Sequence, residues 1–291
     1  MSTNAATEQA LTTARDTIAS IRMLPPLPAV AVEIISKLGD EFIDGNEVAD
    51  VVAQDPAICA RLISLANSAY FGLQTPVGNM RDVVNRVLGV DTVRSMALAL
   101  ASQQSLDTSG CERFDERRFW RTALGAAASC HRIAAVVEEL TPAERSCAYP
   151  LGLCHDLGLM ALVAIEPARM NAAFAGDPSL PTAERVEHEF GFRPEAITLA
   201  LAEHWELPLL MIDTYRARMA GVITESPMVM VLQASIRAAD FGNDGEHDPA
   251  EVEAALGTEA LSVPDATLAA VAVPDEKQRA ALDGAVEAMT G

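Results

Sequence analysis

Residues 141–165, TPAERSCAYPLGLCHDLGLMALVAI, predict a capped apolar helix that closes on a polar step, His155-Asp156, followed by an apolar exit from Leu157 to Ile165. Thr141-Pro142-Ala143-Glu144 is a capping box, in which the Thr hydroxyl accepts from the third amide and the Glu carboxylate reaches back to the first. An ionisable pair in such apolar surroundings needs a partner, a metal or a satisfied hydrogen-bond network. The dipeptide alone decides little, because a second copy, His247-Asp248, stands in the polar stretch Gly242–Pro249, where Asp248 reads as the cap of a helix starting at Pro249.

Working outward from that step, the pattern stays helical and alternating strand signal is almost absent, so the fold class is all-α. Leu11, Ala14, Ile18 and Ile21 form one stripe, ended by Pro25-Pro26-Leu27-Pro28. Val32, Ile35 and Leu38 form the next, followed by Val48, Val51 and Val52 beyond the turn at Asp44-Gly45-Asn46. Asp55-Pro56 caps a helix carrying Ile58, Leu62 and Leu65, stopped at Asn67–Gly72. Met80, Val83, Val84 and Val87 make another apolar face ending at Gly89, and Asp91 opens a long apolar helix through Leu106. After the polar interruption from Asp107 to Arg113, a long helix is predicted from Asp115 to Leu140. Amphipathic segments follow at Thr182–Phe190, Pro194–His204, Pro208–Met219, Met228–Phe241 and Glu276–Met289. This divides the chain into an N-terminal helix, 1–22, an N-terminal helical part, 23–108, a second helical part, 109–245, and a C-terminal helical extension, 246–291.

Half of the 291 residues are hydrophobic, enough for one large core or two smaller ones. The net charge of -20 opposes phosphate backbones and anionic membrane surfaces, so no direct nucleic-acid binding is expected. Five scattered cysteines, with no C-x-x-C pair, read as buried thiols of a reducing compartment. Met1–Arg22 lacks the layout of a signal peptide and no uncharged stretch approaches a membrane span, so a cytoplasmic protein without membrane insertion is expected. Acidic runs at Asp40-Glu41 and Glu246–Glu253 read as solvated faces or as surfaces for a basic partner. No Gly-rich nucleotide loop is present.

Leu24–Pro28, Asp55-Pro56 with Arg61-Leu62, Leu65–Gly72, Leu88-Gly89, Phe119-Trp120-Arg121, Leu151–Gly158, Glu189-Phe190-Gly191, Trp205–Pro208 and Ala238-Ala239-Asp240 occur in this order. Over residues 23–241 the chain thereby resembles the HD-related output domain family, HDOD, a bacterial signalling branch of the HD phosphohydrolase superfamily. The resemblance implies an N-terminal helical bundle packed beside a divergent HD-type helical bundle. It also implies that an ion, where the superfamily holds one, would be gripped by His155, Asp156 and Asp240. Further ligand positions carry Thr122, Pro194 and Arg218-Met219 where related chains often show His. A hydroxyl is a poor ligand, proline has no side-chain donor and a guanidinium repels a cation. The three candidates are therefore vestigial, with no cofactor expected beyond a weakly bound divalent metal.

Two readings of the step stand side by side: a relic pair bonded to buried backbone, or a surviving metal or ligand site. Asn67, Ser68, Tyr70 and Phe71 read as a plain helix stop or as an interaction loop. Trp120 and Trp205 read as packing, and His131 and His188 as surface or core residues, while His204, one residue before Trp205, is a candidate to reach the step. The function implied is a non-catalytic regulatory module that binds signalling proteins in trans, in some members alongside cyclic-dinucleotide systems. The alternatives are a weakly active metal-dependent phosphohydrolase and a sensor of a small ligand in the degenerate pocket.

Overall fold

The computed structural model describes residues 31–34, 44–221, 226–244, 261, 263 and 265–290, and all regular structure among them is helical. The predicted helix over 1–22, the proline turn at 25–28, both acidic runs and the His247-Asp248 copy lie outside the described residues.

Among the described residues, a helical stretch at 31–34 and four further helices build the N-terminal part. α1 (Gly45–Val52) is capped by Asp44, which accepts from the Asn46 amide at 3.1 Å. α2 (Pro56–Ala66) is capped by Asp55, which accepts from the amides of Ala57 and Ile58. α3 (Met80–Asp82) runs straight into a π-helical turn, Val83–Leu88, and Gly89 at φ 79° lets the chain turn into α4 (Val90–Ser105). The apolar face read at Met80, Val83 and Val84 is buried as expected, whereas the widened turn is not signalled by the spacing.

The second part is organised around α5 (Glu116–Val136), which packs most extensively against α6 (Pro142–Cys154) and α12 (Pro227–Asp244). α5 stops four residues short of the predicted Leu140. The Arg145 guanidinium, entering from α6, takes the carbonyls of Ala134 at 3.3 Å and Val137 at 2.9 Å and so closes its C-terminus. The capping box of α6 is present, with the Thr141 amide donating to Glu144 Oε2 at 2.8 Å and the Glu144 amide to Thr141 Oγ1 at 3.2 Å. α7 (Leu157–Ile165) follows at once, then α8 (Pro167–Ala175), α9 (Thr182–Phe190), α10 (Pro194–His204) and α11 (Leu209–Met219). Of these, α8 lacked a sequence expectation of its own. α13 (Asp265–Ala272), which also lacked one, and α14 (Glu276–Thr290) return to α5, and α14 also lies on α2.

Two glycines set the spacing around the His155 step. A Cβ on Gly152 would stand 2.6 Å from the Ala127 Cα, so α6 crosses α5 in backbone contact. A Cβ on Gly158 would stand 2.3 Å from the Pro194 carbonyl oxygen, so the start of α7 is pressed onto α10 in the same way.

Taken together α6 and α7, residues Pro142–Ile165, are long and apolar enough to match a membrane span, although Asp156 keeps them from being one uncharged stretch. The charges at Arg145 and Glu144 sit at one end, which is why the apolar remainder passes. That run is broken at His155-Asp156, and 83% of its most apolar window is buried inside the protein, as in a core helix pair. All five cysteines are free, Cys111, Cys130 and Cys154 buried and Cys59 and Cys147 half-buried. Burial pushes the thiols of Cys130 and Cys154 up to about 12, which leaves them protonated and unreactive.

Candidate functional site

His155 is the C-cap of α6 and Asp156 precedes the first residue of α7, so the step forms a corner between two buried helices. The His155 ring is 5% exposed, and its Nδ1 lies 2.8 Å from the Gly152 carbonyl oxygen. A carbonyl only accepts, so Nδ1–H donates and Nε2 is the basic nitrogen of the neutral ring. Loss of water, reinforced by the Arg218 cation, pulls the His155 pKa down to about 4. The imidazole is therefore neutral at physiological pH.

Thr198, on α10, closes the corner from the other side. Its hydroxyl accepts from the Gly158 amide at 3.0 Å and stands 3.4 Å from the carbonyl oxygens of His155 and Pro194, either of which can take its proton. From α11 the Tyr215 hydroxyl donates to the Leu151 carbonyl at 3.0 Å. Polar groups at this corner are thus largely engaged with backbone, the use that a buried helix end makes of them.

Asp156 is half-buried, and its carboxyl is pushed up to about 8, first by loss of water and then by the neighbouring carboxylates of Glu195 and Asp240, with Arg218 acting against them. Arg218, in the last turn of α11, bonds Glu195 Oε1 at 3.2 Å through Nη2 and Gln233 Oε1 at 3.1 Å through Nε. Both partners of the Arg218–Glu195 pair are mostly buried, at 14% and 21% side-chain exposure. Glu195 Oε2 has no hydrogen bond, and Arg193 Nε approaches it only to 3.8 Å. An internal guanidinium, held by an acid and an amide, thus sits in the electrostatic neighbourhood of His155 and Asp156.

The residues present do not fit a metal centre. Among the described residues no three His, Cys, Asp or Glu side chains gather closely enough to hold an ion. Asp240 lies exposed on α12, and its charge acts on Asp156. Thr122 is half-buried on α5, Pro194 heads α10, and Arg218 brings a positive charge where a ligand would be needed. His131, His188 and His204 are exposed. Sequence reasoning named Arg218 as a departure but missed its partners Glu195 and Gln233 and the tie at Thr198. An acid in the first turn of a helix is ordinary, and nothing in the spacing of 195 to 218 or 233 marks them as neighbours.

The loop at Asn67–Phe71 is built into the fold. The Asn67 amide group donates to the Val77 carbonyl at 2.8 Å and accepts from the Val77 amide at 2.8 Å, closing the turn after α2 as a backbone pair would. Tyr70 and Phe71 meet edge to face at 4.8 Å, and both are half-buried against the core. Ser68 is half-buried beside α14, where a Cβ on Gly284 would stand 3.8 Å from the Ser68 Cβ. Trp120 and Trp205 are buried packing residues, at 0% and 8% exposure.

An all-helical chain in which a His-Asp step joins two buried helices is, in class, an HD-related helical domain. The family model of the HDOD domain matches residues 24–220, and the chain belongs to that family. An HDOD domain protein of unknown function from Geobacter sulfurreducens superposes with a TM-score of 0.70 at 21% identity, covering 97% of this chain and 98% of that one. A proposed signal transduction protein from Marinobacter aquaeolei VT8 gives 0.72 at 22% identity over 97% of this chain and 66% of that one. A proposed phosphohydrolase from Shewanella amazonensis SB2B gives 0.70 at 21% identity over 95% and 98%. At these identities the likeness is one of fold. An uncharacterized protein of Treponema pallidum (strain Nichols) is 23% identical over 204 residues, a match that takes in 66% of this chain and 37% of that protein. The match therefore spans well under half of that curated relative's length.

Proposed function

We propose that this HDOD protein is a non-catalytic bacterial regulatory module, acting in the cytoplasm by binding signalling proteins in trans. The observation that carries the reading is the Arg218–Glu195 pair beside His155 and Asp156. HD-type hydrolysis needs a divalent cation to polarise water and offset the charge of a phosphate. Here a fixed guanidinium takes up the negative field, and the His155 Nδ1 is engaged by the Gly152 carbonyl. The His155-Asp156 step then serves to join α6 to α7, and what remains available for function is surface.

A second reading, weak metal-dependent phosphohydrolase activity, draws on the mutual repulsion of Asp156, Glu195 and Asp240, which a bound cation would relieve. Hydrolysis of bis(p-nitrophenyl) phosphate by the purified protein, with Mn²⁺, Fe²⁺, Zn²⁺ or Ni²⁺ added in turn, separates the two. The regulatory reading expects the same background rate from the intact protein and from His155→Ala. A metal-dependent rate that His155→Ala abolishes while the far-UV circular dichroism is kept would replace it with the enzyme reading.

A further inference from the structure

The C-terminal helix α14 has the make-up of a docked ligand. Ala281, Leu282, Ala285, Val286 and Met289 form one buried stripe on it, three and four residues apart around the turns. The stripe lies between α2 and α5. A Cβ on Gly284 would stand 3.8 Å from the Ser68 Cβ, and one on Gly125 of α5 would stand 3.8 Å from the Leu282 Cδ2, both ordinary packing distances. The rim is basic on one side and acidic on the other: Arg117 and Arg121 of α5 pair with Glu287 and Asp283 of α14, the first at 3.3 Å. Arg61 of α2 donates to the Met289 carbonyl at 3.2 Å, at the helix's negative end.

α14 is also self-contained. Asp275 and Gln278 cap it reciprocally, the Gln278 amide donating to Asp275 Oδ1 at 2.7 Å and the Asp275 amide to Gln278 Oε1 at 3.0 Å. The preceding helix α13 is fixed separately, by Arg132 and Ser129 of α5 on the carbonyls of Val271 and Ala272. Only Val273–Asp275 joins the two helices, so α14 can leave its seat while α13 stays anchored.

We infer that the α2/α5 groove is a docking site for an acidic amphipathic helix of a partner protein, and that α14 is its resident occupant in cis. The partner's chemistry is the one α14 displays: an apolar stripe with small residues at its centre, flanked by carboxylates that meet Arg117 and Arg121. Displacement of α14 would couple partner binding to the seam between the two helical parts. The groove is independent of the His155 pocket, so a catalytic chain could carry it equally well.

The test uses the full chain and a fluorescein-labelled peptide of residues 275–290 as the partner helix, followed by fluorescence anisotropy. Asp283→Arg with Glu287→Arg places like charges against Arg117 and Arg121 and loosens the resident. The loosened chain should bind the peptide about tenfold more tightly than the original chain, a modest gain because exposed ion pairs are individually weak. Adding Arg117→Glu with Arg121→Glu reseats the resident by reversed pairing and should return peptide binding to the original level or below. Equal peptide binding by all three chains overturns the inference. So does loss of cooperative thermal unfolding in the loosened chain, which would make α14 an inseparable part of the core. Peptide-independent dimers on size-exclusion chromatography would also overturn it, by making the groove a site for exchange between copies.

Discussion

Two sets of ion pairs in this molecule do different work. Beside His155, Arg218 and Glu195 are mostly withdrawn from water, and α10, which carries Glu195, meets α7 where no side chain fits, at Gly158. Along α14, Arg117 and Glu287 are more than half exposed, and the helix is seated by an apolar stripe from Ala281 to Met289. A buried pair contributes little over apolar packing yet is costly to break, whereas an exposed pair is cheap to lose and can select a partner. The first region is thus built to stay fixed and the second to exchange.

The largest effect should come from the glycine that fixes the first region. Gly158→Ala drives a methyl group into the Pro194 carbonyl and the Thr198 amide, at 2.3 and 2.4 Å, and backbone cannot step aside as a side chain can. A loss of about 3 kcal/mol or more is expected by urea denaturation. An unchanged midpoint would mean that α7 and α10 are not in backbone contact.

Next is the pair itself. Arg218→Met leaves Glu195 mostly buried without its nearest counter-charge and should cost about 2 to 3 kcal/mol, and adding Glu195→Gln should recover most of that. Arg117→Met, at the exposed pair, should stay within about 0.5 kcal/mol. Equal costs at the two sites would erase the distinction between them.

Much of this fold was legible in the sequence, because helix caps and apolar stripes are local signals. Asp55-Pro56, Thr141–Glu144 and the stripe at Met80–Val87 led to helices with the expected caps or faces. The overlong prediction for α5 failed for a non-local reason, since the group that closes its end, Arg145, belongs to the next helix. The site was legible only in part. His155 and Asp156 announce themselves by being polar in an apolar run, but Glu195, Gln233 and Thr198 look like ordinary helix residues. Only the packing of α10, α11 and α12 makes them neighbours.

The pH dependence of stability sharpens the account of the first region. In the unfolded chain Asp156 ionises near 3.8 and in the fold at about 8, so between those values the folded state holds the extra proton and stability falls as pH rises. His155 works the other way: unfolded it titrates near 6.5 and folded at about 4, so its contribution grows with pH across that window and is lost on acidification. The two oppose each other below about 6.5, and above it only the Asp156 decline remains. From pH 6.5 to 8 the urea midpoint of the original chain should fall, while that of Asp156→Asn stays level. Parallel curves would place the titrating group elsewhere.

The smallest effect lies outside both regions. Glu206 occupies the left-handed position after α10, at φ 54°, with the Leu207 amide donating to the Ala202 carbonyl at 2.9 Å and the Glu206 amide to Glu203 at 3.3 Å. That is a Schellman end with a glutamate where glycine is favoured, so Glu206→Gly should stabilise the protein by up to about 1 kcal/mol. A destabilisation would show that the Glu206 side chain is needed at the exposed surface.

The most direct test of the central claim, that an internal guanidinium has replaced a metal at the HD step, is the metal content of the native protein. The protein would be purified without chelator or affinity-tag metal and measured by inductively coupled plasma mass spectrometry, alongside Arg218→Met. The account predicts far less than one ion per chain in both, because removing the cation leaves carboxylates without a ligand set. Near-stoichiometric Fe, Mn, Zn or Ni in the unaltered chain, lost in His155→Ala, would contradict it.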